Sequence, residues 1–167
     1  MKNFFVFLLL CLLTLSSCAG GERAPDILGY ELTAGELSLS FRADGQEFSA
    51  TLARTDGKRR LSFSAPATLA GMSFSLDGET VTARFADGGG EVNGDFPLPR
   101  AIFDCFSLSE RVARGELEFV SSGTSGGEDL FVFSDGETRY ELYRAEGNIP
   151  SRIVRRSGDG VLTIDIM

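Results

Sequence analysis

The amino-acid sequence predicts a mainly β protein with a small α component, in which one curved antiparallel sheet is covered by one or two short helices. Between residues 37 and 85, five successive segments alternate apolar and polar side chains with a period of two. Asp-Gly pairs separate several of these segments, and such pairs favour tight hairpins because Gly adopts positive φ at low cost. Between residues 97 and 114 the apolar spacing becomes three to four residues, which is typical of a helix.

Each of the five alternating segments carries one Phe on its apolar side. A meander with one apolar face and one Ser/Thr/Arg face is therefore predicted. We call Phe41, Phe48, Phe63, Phe74 and Phe85 the Phe stripe. The complete apolar face is predicted to comprise Leu37, Leu39 and Phe41; Phe48, Ala50 and Leu52; Leu61, Phe63 and Ala65; Met72, Phe74 and Leu76; and Val81, Ala83 and Phe85.

After the fifth segment, residues 87–95 are predicted to form a flexible turn. Asp87, Glu91, Asn93 and Asp95 carry oxygen ligands of the kind that Ca²⁺ binds, but their spacing misses the twelve-residue calcium loop. A plain turn is the preferred interpretation.

The helical insert around 97–114 is either one helix or two short ones, because Ser107 and Glu110 fit a capping box. Pro97 suits the first turn, and Gly115 suits the end of the helix. Strands are then predicted at 116–120, 129–134, 137–144, 149–156 and 161–167, with a mobile loop at 121–128. The apolar face of so large a sheet is too broad to leave in water, so the sheet must close on itself or wrap around the helix.

The N-terminus has the pattern of a secretory signal peptide. Lys2 precedes an apolar run over residues 4–15, which is shorter than the about 20 residues that cross a bilayer. The sequence Leu-Ser-Ser-Cys at residues 15–18 resembles the bacterial lipobox. That resemblance implies that a diacylglyceryl group is attached to Cys18, which becomes the first residue of the mature protein. The alternative is a secreted protein with an incidental cysteine at its cleavage site.

This interpretation divides the chain into three parts: a signal peptide at 1–17, a lipidated tether at 18–30 and a single domain at 31–167. Removal of the signal leaves 15 basic against 24 acidic residues, a net charge of −9. Such a charge argues against binding nucleic acid and against an electrostatic grip on anionic lipid heads. Cys105 is the only cysteine that remains besides Cys18, so no intramolecular disulfide is predicted.

Catalysis is not predicted. The sequence contains no His, and so lacks the commonest general base and a usual zinc ligand. Its acidic residues fall mostly in turns or at solvent-facing positions. We therefore expect no enzyme activity, no cofactor and no metal. Cys105 lies in the apolar pattern of the helix and is predicted to be a small core side chain. Arg152, Arg155 and Arg156 are predicted to form a solvated sheet edge.

Several features together resemble the bacterial lipoprotein-localisation factors, the LolA/LolB-like superfamily. They are the lipobox, the one-sided meander, the segment Phe63-x-x-Pro66-x-x-Leu69-x-Gly71-Met72, the covering helix and the closing hairpins. The resemblance implies an unclosed β-barrel, or half-barrel, lidded by helices, whose hollow holds acyl chains. Residues 22–35 leave little room for the long first helix of that family, and no residue matches one of its functional positions.

Two interpretations of the apolar face remain open, a cavity that accepts an acyl chain and a filled core. Leu69 is likewise either an exposed apolar probe or the buried anchor of its loop. The predicted lining of the cavity is Phe41, Phe48, Phe63, Leu69, Met72, Phe74, Phe85, Ile102 and Phe106.

The predicted function is that of a membrane-anchored extracytoplasmic lipoprotein that binds an acyl chain or another hydrophobic ligand. The alternative is a scaffolding or sensor lipoprotein that binds a protein partner of the cell envelope. Ala19 follows Cys18, whereas lipoproteins held at an inner membrane typically have Asp at that position. The expected location is the outer membrane, facing the periplasm, or the outer face of the cell membrane in an organism without an outer membrane.

Overall fold

The computed structural model describes residues 35–55, 58–85, 89–146 and 149–167. The predicted signal peptide and tether, including Cys18, lie outside these residues. So does Asp87 of the acidic turn.

The described part of the chain forms one antiparallel sheet of eleven strands, flanked in space by two short helices. The predicted fold class is thus confirmed. The strands lie in the order β6-β5-β4-β3-β2-β1-β11-β10-β9-β8-β7, so the first and last strands pair at the centre while β6 and β7 form open edges. The strands are β1 Glu36–Ala43, β2 Gln46–Thr55, β3 Lys58–Ala65, β4 Ser73–Asp77, β5 Thr80–Arg84, β6 Glu91–Gly94, β7 Glu118–Ser125, β8 Glu128–Ser134, β9 Arg139–Arg144, β10 Arg152–Ser157 and β11 Gly160–Ile166.

The hairpin turns follow the Asp-Gly signals of the sequence. Between β1 and β2, Asp44 and Gly45 both have positive φ, 49° and 77°, as a tight two-residue turn requires. The register across this hairpin places Phe41 opposite Phe48, so the turn brings two members of the Phe stripe together on the inner face.

Two helices occupy the insert between β6 and β7. Helix α1 spans Pro97–Cys105 and helix α2 spans Leu108–Ala113. Gly115, at φ 72°, ends α2, and its N–H donates to the Val112 carbonyl at 3.0 Å. The predicted capping box is wrong, because Ser107 makes no side-chain cap. Its hydroxyl donates instead to the Phe103 carbonyl at 2.7 Å.

Three local predictions are corrected by long-range pairing. Residues 91–94 of the predicted turn are strand β6, which pairs with β5. The predicted mobile loop at 121–128 is mostly strand β7, paired with β8 through Ser125. The arginines of β10 do not lie at an edge, since β10 is enclosed by β9 and β11. Whether these segments form paired strands depends on partner strands that lie elsewhere in the sequence, so the composition of each segment does not reveal the pairing.

The core lies between the concave face of the sheet and the helices. The alternating positions predicted for that face are its inner side chains, including Leu39, Phe41, Leu61 and Phe63, all at most 4% exposed. Full burial of one such side chain contributes about 1.5–3 kcal/mol. Phe85 is the exception: it follows the last residue of β5 and is 41% exposed. The helical insert contributes Ile102, Phe103, Cys105, Phe106 and Leu108 to the same core.

Within the residues that the structure describes, neither helix has the length and hydropathy needed to cross a membrane.

Candidate functional site

A continuous chain of aromatic rings runs across the concave face. The rings of Phe41 and Phe48 stack with centroids 5.1 Å apart, and Phe63 meets Phe41 edge to face at 5.8 Å. Phe74 continues the chain to Phe96, which lies just before α1, at 5.2 Å. Such pairs add about 0.5–1.5 kcal/mol beyond the area that they bury.

Most of the predicted cavity residues are packed side chain against side chain. An internal space wide enough for water would leave accessible surface on its lining atoms, yet Ile102 is 0% exposed and Phe106 is 2% exposed. Leu69 is half-buried against the core, as a loop anchor would be. The apolar face is thus filled in this structure, and ligand binding by these residues stays a prediction. Phe41, Phe48, Phe63 and Phe74 are buried, Met72 is half-buried and Phe85 is exposed.

An open pocket of about 400 Å³ lies where helix α1 meets the β1–β2 and β10–β11 hairpins. We call it the seam pocket, because it opens at the seam between the helices and the sheet. Of the predicted cavity residues, only Phe48 reaches it. The lining residues are Ala43, Asp44, Gln46, Phe48, Pro97, Leu98, Arg100, Ala101, Asp104, Arg155, Asp159, Gly160, Val161 and Leu162.

Arg155 is placed in the seam pocket by strand alternation. It lies two residues after the buried Ile153 on β10, so its side chain leaves the same concave face. Its strand neighbours are Tyr140 and Leu162. Arg155 Nη1 donates to the Ser157 hydroxyl at 2.9 Å. Its buried Nε has no hydrogen-bond partner among the described residues. The predicted edge position of this residue is wrong, and its spacing of two residues from Ile153 is the sequence signal for an inward side chain.

Asp104, on helix α1, also faces the seam pocket. Burial raises the pKa of its carboxyl, and the positive charges of Arg111, Arg100 and Arg155 offset only part of that effect. In the described part of the chain, no hydrogen bond or ion pair joins Asp104 to Arg155.

Polar contacts hold the helices down at their other end. Arg59 of β3 donates to Ser107 at 2.9 Å and to Glu110 of α2 at 2.7 Å. On the opposite side, Arg111 of α2 donates to the Tyr140 hydroxyl at 2.6 Å and to Asp135 at 2.8 Å. We call the helices α1 and α2 the lid and these contacts the lid clasps. Arg59 lies two residues before the buried Leu61, and this spacing is the sequence signal for its inward position.

A second pocket, of about 660 Å³, opens beside these clasps and is lined mainly by charged groups. Arg59 and Arg111 in its wall are engaged with acidic or hydroxyl partners, and Arg100 donates to the Glu79 carbonyl. No cluster of acidic or cysteine side chains suited to a metal ion occurs in the described ranges.

No protein-family model matches the chain, and no curated protein matches it. Among solved structures, it is similar to an uncharacterized conserved protein from Thermus thermophilus, at 15% identity and a TM-score of 0.52, over 85% of this chain and 81% of the other. That likeness shows a shared fold. A LolA superfamily protein from Nitrosomonas europaea gives 11% identity and a TM-score of 0.41, over 79% and 82% of the two chains. The lipoprotein LppX from Mycobacterium tuberculosis gives 9% and 0.40, over 86% and 95%.

Proposed function

We propose that this protein is a lipid-anchored extracytoplasmic binding protein, without enzyme activity, that takes up an acyl chain or another hydrophobic ligand beneath its lid. The observation that carries the proposal is the seam pocket. Its apolar walls, Phe48, Leu98 and Leu162, are continuous with the Phe stripe and open to solvent. Its volume falls within the range of about 300–1,000 Å³ typical of small-ligand sites.

Phe48 connects the pocket to the interior. One side of its ring stacks on Phe41, while the side chain also lines the seam pocket. A chain that enters at the seam therefore meets the Phe stripe next, and it must separate helix α1 from the sheet to go further. The filled core is accordingly the ligand-free state in this proposal.

The lid is built for such a movement. Its apolar side rests on the core, whereas its clasps are polar and partly accessible to water, as the Glu110 side chain at 37% exposure illustrates. Polar contacts that water can reach on one partner open at a lower free-energy cost than fully buried ones.

Saturable binding of cis-parinaric acid, a fluorescent fatty acid, to the mature protein tests the proposal. Leu98 lines the pocket in the first turn of α1, where Gln is well tolerated, so Leu98→Gln should fold and bind the probe at least tenfold more weakly. Val92→Gln, at an exposed position of edge strand β6, is the matched control and should bind like the wild type. Absence of saturable binding, or equal affinity of Leu98→Gln and the wild type, contradicts the proposal.

A protein partner of the cell envelope is the second candidate, and edge strand β7 favours it. From residue 120 to residue 125 this strand is exposed and carries no charged side chain. Natural edge strands usually carry charges that prevent pairing with another chain. An edge strand without such charges can pair with a strand of a partner protein. A partner that is captured by wild type and by Leu98→Gln alike, but lost in Thr124→Lys, would support this function over ligand binding.

For location, we propose the outer membrane, facing the periplasm, or the outer face of the cell membrane in an organism without an outer membrane. Lipid attached to Cys18 is the proposed anchor. The residue after it, Ala19, supports the first destination.

A further inference from the structure

We propose that the ligand of the seam pocket is an amphiphile with an acidic head group, carboxylate or phosphate, held by Arg155 with Arg100 beside it. This inference rests on the proposed function and specifies the chemistry of its ligand. The apolar chain of the amphiphile lies toward Phe48 and Leu98.

An arginine is an unusual choice for the position of Arg155. It lies on the concave face, between Tyr140 and Leu162 on the neighbouring strands, where the other inward side chains of β10 and β11 are apolar or small. Helix α1 passes over the same strand. A cation at an otherwise apolar, partly buried position indicates a role that an aliphatic side chain would not fill.

The guanidinium of Arg155 has unused hydrogen-bonding capacity. Of its five N–H donors, one bond goes to the Ser157 hydroxyl at 2.9 Å. Its Nε is buried and has no partner among the described residues. Buried donors are nearly always paired, so this atom indicates an acceptor that the described residues do not supply. An anionic oxygen that reaches this atom once helix α1 moves away from the sheet forms a short, charge-assisted hydrogen bond.

The surrounding charges limit the ligand to a small anionic group. Arg100 adds a second cation to the wall of the pocket, and its Nη2 donates to the Glu79 carbonyl. Asp44 and Asp159 also line the pocket, from the two hairpin turns at its outer rim. Asp104 faces the pocket from the helix. A head group with one or two negative charges fits beside Arg155, whereas a larger polyanion is repelled by these carboxylates.

Binding of two probes that share one chain tests the inference, namely cis-parinaric acid and its uncharged methyl ester. Arg155→Gln should weaken binding of the acid about tenfold and leave the ester unchanged, because only the acid makes a charge-assisted bond. Arg156→Gln is the matched control on the same strand: it is exposed, lies on the outer face and pairs with Glu141. It should bind both probes as the wild type does.

The outcomes separate this inference from the proposed function. If the wild type binds neither probe, both fail. If it binds both probes but Arg155→Gln changes their affinities equally, or changes neither, the head-group site is contradicted and the hydrophobic pocket stands.

The source of the anion is tested by competition. Dodecyl phosphate should displace cis-parinaric acid from the wild type, and its inhibition constant, corrected for the weaker binding of the probe itself, should be about tenfold higher for Arg155→Gln. Inorganic phosphate at millimolar concentration should not displace it, because it lacks the apolar chain. Displacement by inorganic phosphate alone would identify a site for a free anion and contradict the proposal that the ligand is an amphiphile.

Discussion

Arg59 and Glu110, 51 residues apart in the sequence, join across 2.7 Å and fasten helix α2 to strand β3. The Arg59 side chain is 10% exposed and also bonds Ser107, so the pair lies at the margin of the core and not on the open surface. A half-buried clasp of this kind fixes the position of the lid while still leaving one partner within reach of water.

Replacement of Glu110 by Gln should lower the free energy of unfolding by about 1 kcal/mol, because it removes the charge from a bond to a nearly buried cation. Urea denaturation of the wild type and of Glu110→Gln measures this difference in the free energy of unfolding. Glu47→Gln is the control, since Glu47 and its partner Arg42 are 73% and 65% exposed, and loss of this pair should change the free energy by less than about 0.5 kcal/mol. Equal effects of the two substitutions would show that the clasp adds nothing beyond a surface ion pair.

Truncation of Phe63 should be among the most damaging single changes in the sheet. Its ring contacts Phe41, Phe48 and Phe74 at centroid distances of 5.8, 6.3 and 5.6 Å. Phe63→Ala should therefore cost about 3–5 kcal/mol of unfolding free energy. Phe85→Ala, the same substitution at an exposed member of the Phe stripe, should change it by less than about 1 kcal/mol. Comparable losses at both positions would argue against the filled core.

The thiol of Cys105 should report on opening of the lid. Burial raises the pKa of Cys105 to about 12, and this side chain, at the end of helix α1, is 0% exposed. At pH 8 an aromatic disulfide reagent should thus leave the native protein unmodified over minutes and react at once in guanidinium. The Cys18→Ala form of the mature chain makes Cys105 the only thiol. Glu110→Gln should speed the native reaction several-fold, and rapid modification of the closed wild type would contradict the packing of the lid.

Low pH should weaken the lid clasp between Arg111 and Asp135. Burial raises the pKa of this carboxyl, but hydrogen bonds from the Thr138 and Glu137 N–H groups and from Arg111 outweigh burial and hold the pKa below its usual value. Its stabilising contribution is therefore complete above the unfolded-state pKa of about 3.9 and is lost as the pH falls through the lower folded-state pKa. Urea midpoints from pH 6 to pH 2 should converge for the wild type and Asp135→Asn. A constant difference would contradict this role.

Cys18 is predicted to carry the anchoring lipid. Cys18→Ala removes the thiol that the diacylglyceryl group requires, so palmitate labelling should disappear and cleavage of the signal peptide should become poor. Cys11→Ala is the control inside the apolar run, and it should be labelled and cleaved like the wild type. Wild-type labelling of Cys18→Ala would overturn the anchoring hypothesis, together with the proposed location.

The strands and their inward faces were predictable because alternation is a local property of the sequence. Phe41 and Phe63, for example, are buried by the same period of two that marks them in the sequence. Strand β6 was not predictable in this way, since Glu91–Gly94 becomes a strand only by pairing with β5.

The seam pocket was harder to foresee for the same reason. Its walls come from helix α1 and from two hairpins at opposite ends of the chain, which meet only because β1 pairs with β11. Arg155 interrupts the inner apolar pattern of β10 at an inward position, and that interruption is a local sign of the seam pocket in the sequence. Arg59 interrupts the pattern of β3 in the same way and marks the clasp with Glu110.

The chain leaves the sheet at one open edge, β6, crosses as the lid, and returns at the other open edge, β7. Only residues 95–96 and 114–117 connect the helices to those edges. A lid attached so closely at both ends has no free end, so the two connections limit how far it can move away from the sheet. A ligand too large for the space that this movement opens requires β6 and β7 to separate. The distance between β6 and β7 should therefore increase with the size of the bound ligand, and spectroscopic labels on these two strands would measure it.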